Sequence, residues 1–346
     1  MSKINNLHYY FHNIKVTVDC PHKKTRNFLE NSFFFFKKIK KYKFRIFVKI
    51  DFNNKKSFNE LSKKKSKIGN HVLSDKDNLI FQNHGLIYIF KNKLKNMYVS
   101  VNKQKKDNVI SKSKNIIKNI FIRNDNYALI RQSIILPVIW TLSRKFNIQS
   151  LHGGAVTFNS SSLIFSGLAG VGKSNLTLFM TKVKKSLFLS DNFLIYDKKN
   201  IHPFPEWIRI LKNSKQLMPE LKKFFNQNMI RRNEKNYFRL SSEEISSKTK
   251  PKIFLFTEIG KNCNLKKVSL SYAFDRIMSS KHQVREFPEH NFIGLLDILS
   301  KKNDFNSEDE IKTLKIFLKK NACFIFTINK NLSIKKNLDF LLKKIR

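Results

Sequence analysis

The chain has 346 residues, enough for two domains of ordinary size or for one large domain with an accessory module. A hydrophobic fraction of 41% can build a packed core, which excludes a wholly disordered protein. The formal net charge of +43 would normally indicate a nucleic-acid or membrane partner. The lysines are spread along the whole chain, however, and Asn, Ile and Phe are over-used too. We therefore interpret the charge as compositional drift and do not expect a nucleic-acid partner.

Cysteine usage and hydropathy indicate the compartment. Cys20, Cys263 and Cys323 lie far apart, and no pair has the spacing of metal ligands or implies a disulfide framework. No run approaches the roughly 18 consecutive apolar residues that a membrane-spanning helix needs. The first residues also lack the apolar core of a signal peptide. We expect a cytoplasmic protein without a membrane partner.

Residues 1–105 are predicted to form a β-rich module. Short runs of Ile, Val, Phe and Tyr alternate there with Asn, Lys and Asp turns, a pattern typical of strands. The polar stretch Lys103–Asn115 introduces a predicted linker, residues 106–125. The predicted strands are Asn13–Cys20, Lys43–Phe52, Asn78–Phe81, Gly85–Phe90 and Asn96–Val101.

Residues 126–346 are predicted to form one α/β domain. Apolar residues recur at helical spacing over Asn126–Lys145, and strands alternate with helices after it, which indicates a mixed sheet. The polar segment Asn226–Lys250 is predicted to be a surface excursion. The strands are predicted at Ser162–Ser166, Ser186–Ser190, Phe193–Asp197, Ile201–Phe204, Lys252–Thr257 and Ala322–Ile328. The helices are predicted at Lys173–Lys184, Ala273–Ser279, Asn291–Leu299, Glu308–Lys320 and Ile334–Ile345.

One motif points to nucleotide chemistry. The segment Gly167-Leu-Ala-Gly-Val-Gly-Lys-Ser174 matches G-x-x-x-x-G-K-[ST] in full, between a predicted strand and a predicted helix. Glycines let backbone N–H groups converge on phosphate oxygens, Lys173 can bind the β- and γ-phosphates, and Ser174 can ligate Mg²⁺. The alternative is a glycine-rich turn that binds nothing. The predicted nucleotide-binding residues are Gly167, Leu168, Ala169, Gly170, Val171, Gly172, Lys173, Ser174 and Asn175.

Two further residues are candidates for the chemistry. Asp191 follows the strand Ser186–Ser190, and ligands gather at the carboxyl ends of strands in α/β sheets, so it can hold Mg²⁺ or activate a nucleophile. An Asp that only caps a turn is the alternative. His152 precedes Gly153-Gly154 at the start of the strand leading to the motif, where it could approach the transferred phosphate or be purely structural.

These residues resemble a known family. Leu151-His-Gly-Gly-Ala-Val156, then Gly167–Ser174, then Leu189-Ser-Asp-Asn192 is similar to the pattern of HPr serine kinase/phosphorylase and of HPr-kinase-like proteins. The resemblance covers about residues 126–345 and implies a P-loop fold of the HPr-kinase/phosphoenolpyruvate-carboxykinase type. It implies that Asp191 accepts the proton of the substrate hydroxyl, that Ser174 and Asp191 bind Mg²⁺, and that His152 is the active-site histidine.

The sequence departs from the family pattern at two positions. Asn192 stands where the family has a second Asp, and Asn175 follows the motif serine where an acidic residue is common. The resemblance implies an ATP- and Mg²⁺-dependent kinase that phosphorylates a hydroxyl, foremost of serine, on a protein, a peptide or a small molecule. A non-catalytic ATP-binding protein is the alternative. A nucleic-acid ATPase ranks last because helicase motifs are missing, and homo-oligomerisation stays open.

Overall fold

The computed structural model describes most of the chain. The described residues are 6–105 except 64, 70, 76, 84 and 94, then 129–211, 220–221, 229–232, 235–285, 296–297 and 307–345. The predicted linker, 106–125, lies outside them, as does most of the predicted helix Asn291–Leu299. Two compact units emerge: Met1–Leu142 with Phe287–Phe305, and Ser143–Glu286 with Asn306–Arg346. Each unit contains a mixed sheet, which confirms the predicted α/β class.

The first unit is built on an eight-stranded sheet in the order β1-β2-β3-β8-β7-β6-β5-β4. Strands β2, β3 and β8 run parallel, and the other neighbours are antiparallel. The predicted strands of this module are all present. The strands are β1 Leu7–Phe11, β2 Ile14–Asp19, β3 Phe44–Lys56, β4 Ser66–Gly69, β5 Val72–Ser74, β6 Asn78–Asn83, β7 Leu86–Lys93 and β8 Asn96–Gln104.

Two helices that the sequence did not predict belong to this unit. Helix α1, Lys23–Ser32, buries Thr25, Leu29 and Ser32, which recur at helical spacing in an otherwise polar stretch. A 3₁₀ turn follows at Phe34–Lys37, and helix α2 is Phe58–Ser62. Phe33 and Phe36 pack on Phe11 of β1, on the side of the sheet where the alternate residues Phe44–Ile50 of β3 are buried; this side is the covered face.

The helix predicted at Asn126–Lys145 is present. It is described from Leu129 on, contains a π-helical turn at Arg131–Ile135, and continues as α3, Leu136–Phe146. Trp140 Nε1 donates to Asp297 Oδ1 at 2.8 Å, both within the first unit. The division between the two units falls inside α3, after Leu142. Where the chain separates into independently folding parts stays a prediction.

The second unit has a sheet in the order β13-β12-β9-β10-β17-β19-β18, and β11 also pairs with β9. Strands β10, β17 and β19 are parallel neighbours, so their carboxyl ends lie at one edge. The strands are β9 Gln149–Phe158, β10 Ser161–Ser166, β11 Leu187–Ser190, β12 Phe193–Tyr196, β13 Ile201–His202, β17 Ile253–Gly260, β18 Asn264–Lys267 and β19 Ala322–Asn329. The helices are α4 Lys173–Lys182, α5 Leu270–Arg285, α6 Ser307–Lys319 and α7 Ile334–Lys344.

A third, three-stranded sheet occupies part of the segment predicted as a surface excursion. Its order is β14-β16-β15, all antiparallel, with β14 Ile208–Leu211, β15 Met229–Arg232 and β16 Lys235–Phe238. The segment Asn226–Lys250 therefore contains two strands that its polar composition did not indicate, because tertiary pairing overrides composition there. Among the described residues, no helix has the length and apolarity to cross a membrane.

Candidate phosphate-binding site

The site is built on the turn from β10 to α4, here called the glycine loop (Gly167–Gly172). Gly167, Gly170 and Gly172 have φ values of 149°, 86° and 90°, in the region that side chains disfavour. A Cβ at Gly167 would lie 2.5 Å from the carbonyl oxygen of Thr257, so β17 packs directly against the loop. The loop thus needs glycine for its conformation and, at Gly167, for its close contact with the sheet.

Lys173 closes the loop from inside. It is 7% exposed, and its Nζ donates to the carbonyl oxygens of Gly167 at 2.8 Å and Leu168 at 2.7 Å. Burial lowers the pKa of Lys173 to about 8, and the negative charge of Asp191 opposes this shift. The rim residues Leu168, Ala169 and Gly170 are exposed. A cation therefore lies below an open rim of backbone, poised to exchange its carbonyl contacts for an anion.

The first turn of α4 supplies further positive potential. Its N-cap is Gly172, which has a left-handed backbone, and the first turn contains no acidic residue. Ser174 and Asn175 lie in this turn, and their N–H groups belong to the helix end where anions bind favourably. The predicted binding residues 167–175 therefore form one continuous segment of strand end, loop and helix N-terminus.

Asp191 meets this segment from the neighbouring strand end. It directly follows β11, is 4% exposed, and accepts a hydrogen bond from Ser174 Oγ at 3.0 Å. A Cβ at Gly154, on β9, would lie 2.4 Å from Thr177 Oγ1 and 3.3 Å from Asp191 Oδ1. The absence of a side chain at Gly154 therefore allows α4 and Asp191 to lie close to each other. The predicted proximity of Asp191 to the loop is present.

A carboxylate that the sequence analysis missed lies beside the next residue. Asn192, with a φ of 82°, donates from Nδ2 to Glu206 Oε2 at 3.3 Å, and Glu206 is only 9% exposed. Glu206 is held there because Phe204 N–H donates to the Leu189 carbonyl at 2.8 Å, which aligns this segment with β11. The available signal was an acidic residue between Pro205 and Trp207 in a chain with few acids.

His152 lies on β9, opposite Phe193 of β12. Its carbonyl oxygen accepts a hydrogen bond from Ser166 Oγ at 3.2 Å, which ties it to the last residue before the glycine loop. Because side chains alternate along a strand, His152 shares a face with position 154, whose Cβ direction leads to Asp191. The structure thus places His152 on the face of the sheet that α4 covers.

The oxygen groups fit a magnesium ion with phosphate ligands. Among the described residues, no group of three or more His, Cys, Asp and Glu side chains could hold a metal ion. Mg²⁺ in nucleotide sites is usually bound by one or two carboxylates together with substrate phosphates, so it does not need such a group. Ser174 Oγ and the Asp191 carboxylate, already hydrogen-bonded, are suitable hard donors, and Glu206 is a further carboxylate, hydrogen-bonded to the residue after Asp191.

Comparison with known proteins adds no family to this geometry. No protein-family model matches the chain, and no curated protein matches it. The resemblance to HPr-kinase-like proteins therefore rests on the residues quoted from the sequence, and a functional assignment rests on the arrangement of Lys173, Ser174, Asp191 and Glu206.

Proposed function

We propose that the chain binds ATP with Mg²⁺ at the glycine loop and transfers the γ-phosphoryl group to a hydroxyl of a protein, a peptide or a small molecule. The observation that carries the proposal is the meeting of Lys173, Ser174 and Asp191 at the N-terminus of α4, with Ser174 Oγ 3.0 Å from Asp191. A cation, a hydroxyl and a carboxylate at a helix N-terminus are what phosphoryl transfer requires.

Nucleotide binding uses groups that are already positioned. The N–H groups of the loop and of the first turn of α4 bind phosphate oxygens, and the helix dipole favours their charge. Lys173 gives up its contacts with the Gly167 and Leu168 carbonyls for the β- and γ-phosphates. Because its pKa is about 8, the ammonium is largely present at neutral pH.

Transfer depends on the carboxylates. Bound Mg²⁺ would neutralise charge on the phosphates, and Ser174 and Asp191 are the residues that would hold it. Asp191 accepts the proton of the acceptor hydroxyl as that oxygen attacks the γ-phosphorus and the bond to the leaving diphosphate breaks. His152, on the same face of the sheet, orients the acceptor or the γ-phosphate.

The second candidate function is non-catalytic ATP binding, and Asn192 is the observation that favours it. Asn192 removes one charge from the position where the resembled family has a second carboxylate. Glu206, hydrogen-bonded to Asn192 at 3.3 Å, brings a carboxylate back to the same neighbourhood. We therefore favour the kinase over the binding protein.

The test separates binding from transfer. ATP binding is measured by calorimetry for wild type, Lys173→Ala and Asp191→Asn, and Asp275→Asn serves as an exposed control of the same chemistry. Lys173→Ala should weaken ATP binding strongly, by about 2–3 kcal/mol, whereas Asp191→Asn should stay within about tenfold, since the loop backbone makes most contacts.

Transfer is then followed in single turnovers with γ-labelled ATP, using a serine and threonine peptide library and a panel of small alcohols as acceptors. Asp191→Asn should reduce transfer by roughly 10²–10⁴, the range for loss of a positioned base. Equal transfer by wild type and Asp191→Asn would refute the mechanism. If wild type binds ATP but transfers to nothing, the non-catalytic function is correct, and absence of ATP binding would refute both.

A further inference from the structure

The first unit carries an aromatic pair on the face of its sheet opposite the covered one. Phe47 of β3 and Tyr98 of β8 are direct partners in the parallel ladder, and they point to the same face. Their rings stack with centroids 5.2 Å apart and planes at 14°. Tyr98 remains 40% exposed. Stacking covers one face of each ring, so the pair offers ring edges and the partly exposed outer side of Tyr98 on the middle strands of the sheet.

Basic residues surround this pair on the same face. Lys91 of β7 is the register partner of Tyr98, and Lys93 places its Nζ 5.6 Å from the Tyr98 ring centroid. Two acids, Asp19 and Asp51, lie towards one end of the face. The other cations in adjacent rows are Lys15, Arg45 and Lys49.

A polybasic loop extends the positive surface. Residues 37–43, Lys-Lys-Ile-Lys-Lys-Tyr-Lys, join the 3₁₀ turn to β3, and all five lysines are exposed. Tyr42 links this loop to the sheet face, because Arg45 Nη2 donates to its hydroxyl at 2.8 Å and Lys15 Nζ lies 5.6 Å from its ring centroid. The loop and the sheet cations thus form one basic surface around the aromatic pair.

A shallow depression lies beside the pair. It has a volume of about 360 Å³ and is lined by Phe47 and Tyr98 together with polar side chains that include Lys49, Asn78 and Ser100. Hydroxyl, amide and ammonium groups next to an aromatic ring can hydrogen-bond the edge of a planar base while the ring contacts its face.

We propose that this face, defined by Phe47, Tyr98 and the surrounding cations, binds single-stranded nucleic acid. A base contacts the exposed part of the Tyr98 ring, which Phe47 supports from the other side, and the phosphates contact the lysines and Arg45, the combination that sequence-tolerant single-strand binders use. An anionic membrane or an acidic peptide would also be attracted by the charge, but neither has planar groups that match a stacked, exposed ring pair.

Composition alone favoured drift over a dedicated nucleic-acid surface. Lysines spread along the sequence need not be spread in space, and the parallel β2-β3-β8 ladder brings cations from distant segments around two rings. Surface charge arising from drift alone would attract polyanions everywhere with similar strength. The experiment must therefore separate this face from the rest of a basic chain.

The aromatic pair is tested by fluorescence anisotropy of the full chain with labelled 12-nucleotide oligo-U and oligo-dT. Tyr98→Ala is expected to weaken binding about fivefold to a hundredfold, the range for loss of one stacking contact. Tyr98→Phe keeps the ring and should stay within about twofold. Thermal melts check that both variants fold. Tighter binding of oligo-U identifies RNA as the ligand, and tighter binding of oligo-dT identifies DNA.

The cations are tested with matched double variants. Lys49→Gln/Lys91→Gln removes two charges beside the rings, and Lys266→Gln/Lys267→Gln removes two exposed charges from β18 in the second unit. The first should lower the salt slope of log affinity by about 1.4, at roughly 0.7 per phosphate contact, and the second should leave it unchanged. Equal losses in both double variants, with unchanged binding by Tyr98→Ala, would overturn the proposal. So would Tyr98-dependent binding to anionic phospholipid vesicles or to poly-glutamate without oligonucleotide binding.

Discussion

The contact between Asn192 and Glu206 gives the sharpest prediction. Asn192→Asp would place a second carboxylate opposite Glu206, where the amide Nδ2 now donates to Glu206 Oε2 at 3.3 Å. The sequence pattern alone suggests that this change restores a pair of acids. The structure instead predicts that it replaces a hydrogen bond by a repulsion between two carboxylates, one of which is 9% exposed. The left-handed backbone at position 192 tolerates Asp as well as Asn, so backbone strain contributes little.

The size of the effect follows from the distance. Two unit charges about 4 Å apart repel by about 4 kcal/mol at an effective dielectric constant near 20. Partial exposure of position 192 reduces this repulsion, so we expect Asn192→Asp to lower the free energy of unfolding by about 2–4 kcal/mol at pH 8. A unit of this size loses about 2–4 °C in Tm for each kcal/mol, which gives a fall of about 4–16 °C.

The stability that Asn192→Asp loses should depend on pH. Repulsion raises the folded-state pKa of one carboxyl above its unfolded value of about 4, so the folded state binds the extra proton between these two values. Stability of the variant relative to wild type therefore falls as pH rises through this window. At pH 5 the loss should be only about 1.4 kcal/mol, since one pH unit above the unfolded pKa corresponds to that energy.

The assay is a thermal melt of four proteins at pH 5 and pH 8: wild type, Asn192→Asp, Glu206→Gln and the double variant. The double variant exchanges the acid and the amide, so it should regain much of the stability, with a coupling energy of about 1–3 kcal/mol. Mg²⁺ with ATP should reduce the loss in Asn192→Asp if the carboxylates share an ion. An equal Tm loss at both pH values, or a double variant that is merely the sum of the single ones, would refute the reasoning.

Two further predictions concern the loop and the domain boundary. Burial lowers the pKa of Lys173 to about 8, and a bound anion should raise it, so ATP affinity should fall by up to about tenfold per pH unit above pH 8. Calorimetry at pH 8 in two buffers of different ionisation enthalpy should show that ATP binding takes up protons. Binding without proton uptake would contradict this prediction. Limited proteolysis should cut first within Lys103–Asn115, the polar stretch predicted to start the linker, and first cleavage within 150–200 would place the boundary elsewhere.

The sequence was most informative where structure is local. The strand before the glycine loop and the helix after it were predicted because glycines, lysine and serine at fixed spacing and the flanking apolar runs lie within one short segment. Strand β3 was predicted for a similar reason, since its apolar positions alternate with Arg45 and Lys49. Helix α1 escaped prediction because only Thr25, Leu29 and Ser32 are buried, and two of these three residues are polar.

The role of Glu206 could not be derived from local patterns. Its position depends on three non-local pairings: β12 with β9, β11 with β9, and the bridge between Ser190 and Phe204. The register of each pairing fixes where the segment with Glu206 lies relative to Asn192. A slip of one residue in a strand register would turn the strand's side chains to the opposite face. Asp191 was easier to find because it directly follows a predicted strand, where the rule that ligands gather at strand ends applies.

The contrast between local patterns and non-local pairings also explains why composition argued against a nucleic-acid partner, whereas the arrangement of the strands supports proposing one. From composition, a net charge of +43 indicates drift, because the lysines occur along the whole chain rather than in one basic arm. Yet Phe47 and Tyr98, which are far apart in sequence, are adjacent because β3 and β8 run parallel in a fixed register. The register that stacks the rings also fixes Arg45 and Lys49 around them, so the surface depends on strand order rather than on lysine content. Variants that keep the net charge but move lysines from this face to other positions should therefore bind single-stranded nucleic acid more weakly, if the arrangement of the cations rather than the total charge determines affinity.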